Sequence, residues 1–212
     1  GQTDNADFPL KYAFQPHYGD HDDAFVAVFS AAGNSLETST FIGGNYPDSV
    51  NGIVLDGNGC VYVCGSTSSS DFPTKNAYDS TFNGKGDAFY AKLGPLARSC
   101  VFMTLLGGGQ WDYGSAIALD ANRSAYIAGT TQSPNFPKKN AYDKTLGGTS
   151  DAYVAKFAPN GKSLVYSTLI GGSDDELTYD LALDGENSAC VVGRTQSSDF
   201  PCLGASDDSY NG

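Results

Sequence analysis

The sequence predicts an all-β protein, a β-propeller of four-stranded antiparallel blades on a 64-residue repeat, and three observations carry that prediction. Phe-Pro stands at Phe8-Pro9, Phe72-Pro73, Phe136-Pro137 and Phe200-Pro201, each 64 residues after the last. Residues 65–128 laid over 129–192 without a gap agree at 28 of 64 positions, so both stretches fold as the same unit. No segment sustains a 3.6-residue apolar period, while Gly and Pro punctuate the chain throughout, which leaves short strands and turns as the means of burying apolar side chains.

Four strands are expected in each period, and the central copy shows them in order. The first, "SAIALD" (115–120), is small and apolar, with Ala116 and Ala118 between Ile117 and Leu119, and suits the crowded innermost place of a blade. The second, "SAYIAGTT" (124–131), follows the tight Asp/Asn turn "DANR", matched by "DGNG" at 56–59 and "DGEN" at 184–187. The third and fourth, "DAYVAKFAP" (151–159) and "SLVYSTLIGG" (163–172), are joined through Pro159-Asn160-Gly161, a hairpin signal. Between the second and third runs the long Phe-Pro loop, where proline ends the strand, phenylalanine anchors the turn, and a cis bond is left open. Cut at the Gly-Gly pairs, the chain reads as a half blade (1–44), two full blades (45–108 and 109–172) and another half (173–212).

The pattern "GG…D…AIALD…AYIAGTT.S..FP…AYD…GG..DAYVAKF.P.G..LVYSTLIGG" resembles the SBBP repeat, a bacterial β-propeller repeat family. The resemblance covers nearly the whole chain. It implies a propeller fold and an exported parent protein, hence an extracellular or cell-surface location, and it implies no catalytic activity. The first copy departs from it at "QPHYGDHDD" (15–23), which replaces the Gly-rich approach to the third strand.

Charge and residue types narrow the function. A net charge of -12 with only 12 Lys and Arg repels nucleic-acid phosphates and anionic lipid head groups. The chain lacks an apolar run of 18 residues, so no helical membrane insertion is expected. The five Cys do not recur at the repeat period. Cys60 and Cys64 share a strand face roughly 13 Å apart at about 3.3 Å per residue, too far to bridge; pairing among Cys64, Cys100, Cys190 and Cys202 and buried free thiols both stay open. His17 and His21, with Asp20 and Asp22, resemble a metal site only superficially, because the H-x-x-x-H spacing converges on a helix and none is expected there. The acidic runs "SDDE" (173–176) and "SDDS" (206–209) are candidates for Ca²⁺, with solvation as the plainer reading and no other cofactor expected. Asn122-Arg123-Ser124 is a glycosylation sequon in a hairpin turn. No nucleophile elbow, phosphate loop or paired-carboxylate signature appears, so an enzyme is not expected.

Loops after the second and fourth strands emerge on one side, which gathers Tyr78, Phe82, Trp111, Tyr113 and Tyr142 among Asn, Asp and Ser. Aromatic platforms flanked by polar groups suit glycans, although Phe72 and Tyr78 also recur simply to give each loop a small core. Trp111 does not recur and is the better ligand-binding candidate. The complementary half blades predict self-association, as a closed ring or a filament, unless the chain is part of a longer propeller. The functional expectation is a non-enzymatic, self-associating structural or adhesive repeat protein, with a lectin-like glycan-binding propeller as the alternative.

Overall fold

A computed structural model describes residues 1–207 and 209–210, and every helix or strand it assigns is a strand. They are β1 (Gln2–Thr3), β2 (Asp23–Phe29), β3 (Leu36–Ile42), β4 (Asp48–Leu55), β5 (Cys60–Thr67), β6 (Asp87–Pro95), β7 (Cys100–Leu106), β8 (Asp112–Leu119), β9 (Ala125–Thr131), β10 (Asp151–Phe157), β11 (Leu164–Ile170), β12 (Glu176–Leu183) and β13 (Ala189–Thr195). They form four antiparallel meanders, β1-β2-β3, β4-β5-β6-β7, β8-β9-β10-β11 and β12-β13. Each sheet packs on the next through its innermost strands: β2 against β4, β4 to β6 against β8, and β8 to β10 against β12. The sheets stack in sequence order and do not close into a ring.

Strand alternation builds one apolar layer between each pair of sheets. In β6, Phe89, Ala91 and Leu93 face the first sheet and join Val26, Ile42, Met103 and Leu105, whereas Ala88 and Tyr90 face the third and join Tyr153, Phe157 and Leu169. A thinner layer with Ala116, Tyr126, Val154 and Leu181 seats the last sheet. Small residues on β8 let the strands crowd together at the inner edge. A bulge falls between Gly114 and Ala116, matched between Val50 and Gly52 and between Thr178 and Asp180.

The hairpin turns work by one mechanism. Oδ1 of Asp120 accepts hydrogen bonds from the N–H groups of Asn122 (2.9 Å) and Ser124 (2.8 Å), and Asp56 and Asp184 do the same for their own turns. Gly59, Arg123 and Asn187 close these turns with φ between 64° and 76°.

The Phe-Pro loop has two jobs. Its phenylalanine seats on the ring at the third position of the third strand, with centroids 4.6 Å apart for Phe8 and Phe25, 4.7 Å for Phe72 and Phe89, and 4.4 Å for Phe136 and Tyr153. The loop then runs along the outer edge of the fourth strand, bridging Lys11 to Ser39, Lys75 to Met103 and Lys139 to Ser167. The hydroxyls of Thr40, Thr104 and Thr168 accept the N–H groups of Gln15, Asp79 and Asp143. An otherwise bare β-edge is thereby paired.

Several expectations change. First strands begin at Asp48, Asp112 and Glu176, upstream of the "SAIALD"-type runs, because the acid at their head is itself buried and bonded. The N-terminal stretch adds β1, which pairs Gln2 with Ala24 and Thr3 with Asp23. All five Cys are free, and burial pushes the Cys64 thiol up to about 12. No cis peptide bond occurs among the described residues.

Tyr153 is fully buried and its hydroxyl has no partner, whereas Phe25 and Phe89 hold the corresponding place without one. Tyr153→Phe is expected to stabilise the chain by about 1 kcal/mol, and Phe136→Ala to cost about 3–5 kcal/mol; thermal unfolding of both variants against the parent checks the opposite signs.

Candidate functional site

Ionisable and hydroxyl side chains converge at the sheet junctions, and the construction is the same at each. An acid heads the first strand: Asp48, Asp112 or Glu176, at most 1% exposed. Its backbone N–H donates to the preceding sheet, to the carbonyls of Asp22, Gly86 and Ser150. Its carboxylate accepts the N–H of the second Gly of the Gly-Gly pair, Gly44 at 2.8 Å, Gly108 at 2.7 Å and Gly172 at 3.1 Å. It also accepts a serine hydroxyl from the end of its own sheet's second strand, Ser69 at 2.9 Å, Ser133 at 2.8 Å and Ser197 at 2.7 Å. Thr131 and Thr195 add a second hydroxyl to Asp112 and Glu176.

The serine is itself held. Its N–H donates to the threonine two residues earlier (Thr67, Thr131, Thr195), and its Oγ accepts an N–H from the turn after Gly-Gly, at Tyr46, Gln110 and Asp174. Two residues on, Asp71, Asn135 and Asp199 accept the N–H groups of Asn45, Gly109 and Ser173. The Thr-x-Ser-x-Asp/Asn-Phe-Pro run thus ties the Gly-Gly loop of one sheet to the second strand of the next. Sequence reasoning saw Phe-Pro and Gly-Gly but missed this link. The constant offset from the second Gly to the acid, four residues each time, is the signal that marks it.

A second acid heads the third strand, at Asp23, Asp87 and Asp151, each 0% exposed. One oxygen of each accepts a loop N–H, from Gly19, Asn83 and Gly147 at 3.0–3.1 Å. Among the described residues Oδ1 of Asp23 and of Asp87 has no hydrogen-bond partner. Burial pushes Asp87 up to about 7, with the negative charges of Asp112 and Asp79 adding to it, and pushes Asp48 up to about 6.

The candidate ligand and metal residues are dispersed differently. Trp111 and Tyr113 stack at 6.0 Å, nearly parallel, beside a cavity of about 110 Å³ lined by Ser49, Ser66 and Ser68. Tyr78 packs edge-on against Phe157, serving the junction to the third sheet. Tyr142 is 79% exposed and apart from the Trp111 cavity. Phe82 packs into the first apolar layer. His21 stacks on Tyr46, while His17 lines a different groove of about 630 Å³ with Tyr18 and Arg98. Asp22 accepts the Gln2 side-chain amide, and Asp20 is exposed. Among the described residues no three His, Cys, Asp or Glu side chains are grouped to hold a metal ion. In the "SDDE" run, Glu176 belongs to the junction and Asp175 accepts the hydroxyls of Thr149 and Ser150; Asp208 of "SDDS" lies outside the described residues.

Stacked antiparallel meanders stitched by one recurring polar link define a repeat β-protein of propeller-like build. Residues 39–73 and 101–137 match the beta-propeller repeat family SBBP. Each match runs from the fourth strand through Gly-Gly, the acid and two strands to Phe-Pro, which is the span of the junction link. No curated protein matches the chain.

Because a Cβ at Gly107 would sit 2.4 Å from Asp87 Oδ1 and 2.9 Å from Asp112 Oδ2, Gly107→Ala forces the junction apart. Ser133→Ala removes one donor to a buried carboxylate and is expected to cost roughly 1–3 kcal/mol; Gly107→Ala is expected to cost at least as much. Urea titration checks both, with exposed Ser80→Ala expected to stay within about 0.5 kcal/mol of the parent.

Proposed function

We propose that this chain acts as a non-enzymatic structural or adhesive repeat protein outside the cell, whose sheets form a stiff scaffold and join between copies by completing one another. The observation that carries the reading is the pair of open strand edges. In the full sheets the second strand pairs on both sides, with Thr67 opposite Asp87 and Thr131 opposite Asp151. Among the described residues β13 pairs only with β12, and Val192 on it is 59% exposed. β2 takes Gln2 and Thr3 of β1 and bonds Gly1 at Phe25, which leaves the edge from Val26 onward free to accept a strand. Thr195 of one copy opposite Asp23 of another repeats the internal register, once β1 and the Phe8 ring withdraw from β2. The absorption of the buried acids into sheet junctions, each bonded to Gly N–H and to Ser or Thr hydroxyls where its sheet supplies them, supports a structural role over catalysis. Export accords with the acidic, hydroxyl-rich surface.

A lectin-like role is the second reading, favoured by the parallel Trp111–Tyr113 stack beside serine hydroxyls.

Light scattering is expected to show species larger than 22.2 kDa that grow with concentration, and Val192→Lys to shift them toward monomer, since an edge lysine blocks strand addition. A compact monomer at all concentrations sinks the scaffold reading. A glycan array read with the parent and Trp111→Ala decides the second: binding lost in the variant supports it, and a blank array removes it.

A further inference from the structure

We propose that the junction between the second and third sheets is a proton-binding latch, in which the facing carboxyl groups of Asp87 and Asp112 hold the sheets together while one carries a proton and loosen them when both are ionised. The two acids head strands of different sheets, β6 and β8, and both are 0% exposed. Both carboxyl groups border Gly107. Since a Cβ on Gly107 would lie 2.4 Å from Asp87 Oδ1 and 2.9 Å from Asp112 Oδ2, the two oxygens are at most about 5.3 Å apart.

Their surroundings differ in a way that assigns the proton. Asp112 accepts the Gly108 N–H and the hydroxyls of Ser133 and Thr131. Asp87 accepts the Asn83 N–H on Oδ2, and its Oδ1, which faces Asp112, has no partner among the described residues. The other charged group that faces Asp87 is a third acid, Asp79 of the preceding loop. Carboxylate–cation pairs among the described residues lie elsewhere, at Arg123–Asp56 and Lys156–Asp120. A buried carboxylate with a bare oxygen and no cation keeps its proton. A hard cation takes six to eight oxygen ligands, and among the described residues no three His, Cys, Asp or Glu side chains are grouped to hold one. The same placement recurs around Gly43 with Asp23 and Asp48, and around Gly171 with Asp151 and Glu176.

The sign follows from linkage. Asp87 titrates at about 7 in the fold against about 3.9 unfolded, so its contribution is complete below about pH 4 and is lost as pH rises through 7. Thermal unfolding from pH 5 to 8.5 tests this with the parent, Asp87→Asn and the exposed control Glu186→Gln. The midpoint is expected to fall by several degrees with rising pH in the parent and the control, and to fall clearly less in Asp87→Asn, whose amide supplies a permanent N–H while the Asp48 junction still titrates. An equal fall in Asp87→Asn overturns the latch. Carboxyl ¹³C titration of the parent keeps the test open if that variant does not fold: an Asp87 midpoint near 7 supports the proposal and one near 4 defeats it. Calcium chloride that restores the parent at pH 8 but not Asp87→Asn overturns it in favour of a bound cation.

Discussion

The structure depends on one buried acid at the head of each first strand. A carboxylate that leaves water must recover its hydrogen bonds, and here they come from three places at once: a glycine N–H after one sheet, a serine near the end of the next sheet's second strand, and a threonine beside it. The acid therefore fixes how two sheets sit against each other. The apolar layers between the sheets supply attraction without direction, and the polar link supplies the register. Glu176 shows the tolerance of the arrangement, since its longer side chain keeps the same donors.

Most of the fold was legible in the sequence because the repeat exposes it. Alternating apolar residues in "DAYVAKF", the Asp-led turns and the Asn160-Gly161 hairpin each encode their local conformation, and all three form as read. The head of the first strand was not legible. Asp112, beside Gln110 and Trp111, reads as part of a polar loop, and only the burial created by neighbouring sheets turns it into a strand residue. The packing of Tyr78 was hidden for the same reason: its neighbour Phe157 is 79 positions away and belongs to the next sheet.

The candidate ligand face was legible only in part. The nearness of the Phe-Pro and Gly-Gly loops is real, and the Asn135–Gly109 hydrogen bond shows it directly. What the sequence did not convey is that these polar residues spend their hydrogen-bonding capacity on one another. Trp111 and Tyr113 stand out because their rings stack outside that network.

The lysines at the far end of the Phe-Pro loop have a consequence for how such a protein extends. Lys11, Lys75 and Lys139 each reach the carbonyl of the residue that opens the fourth strand or lies at its start, Leu36, Cys100 and Leu164, and so pin the loop over that strand's outer rim. Each of the first three sheets carries its own selvedge, finished by its own residues. On that side the width of the sheet is closed to newcomers, and only its other strands are left to meet a neighbour.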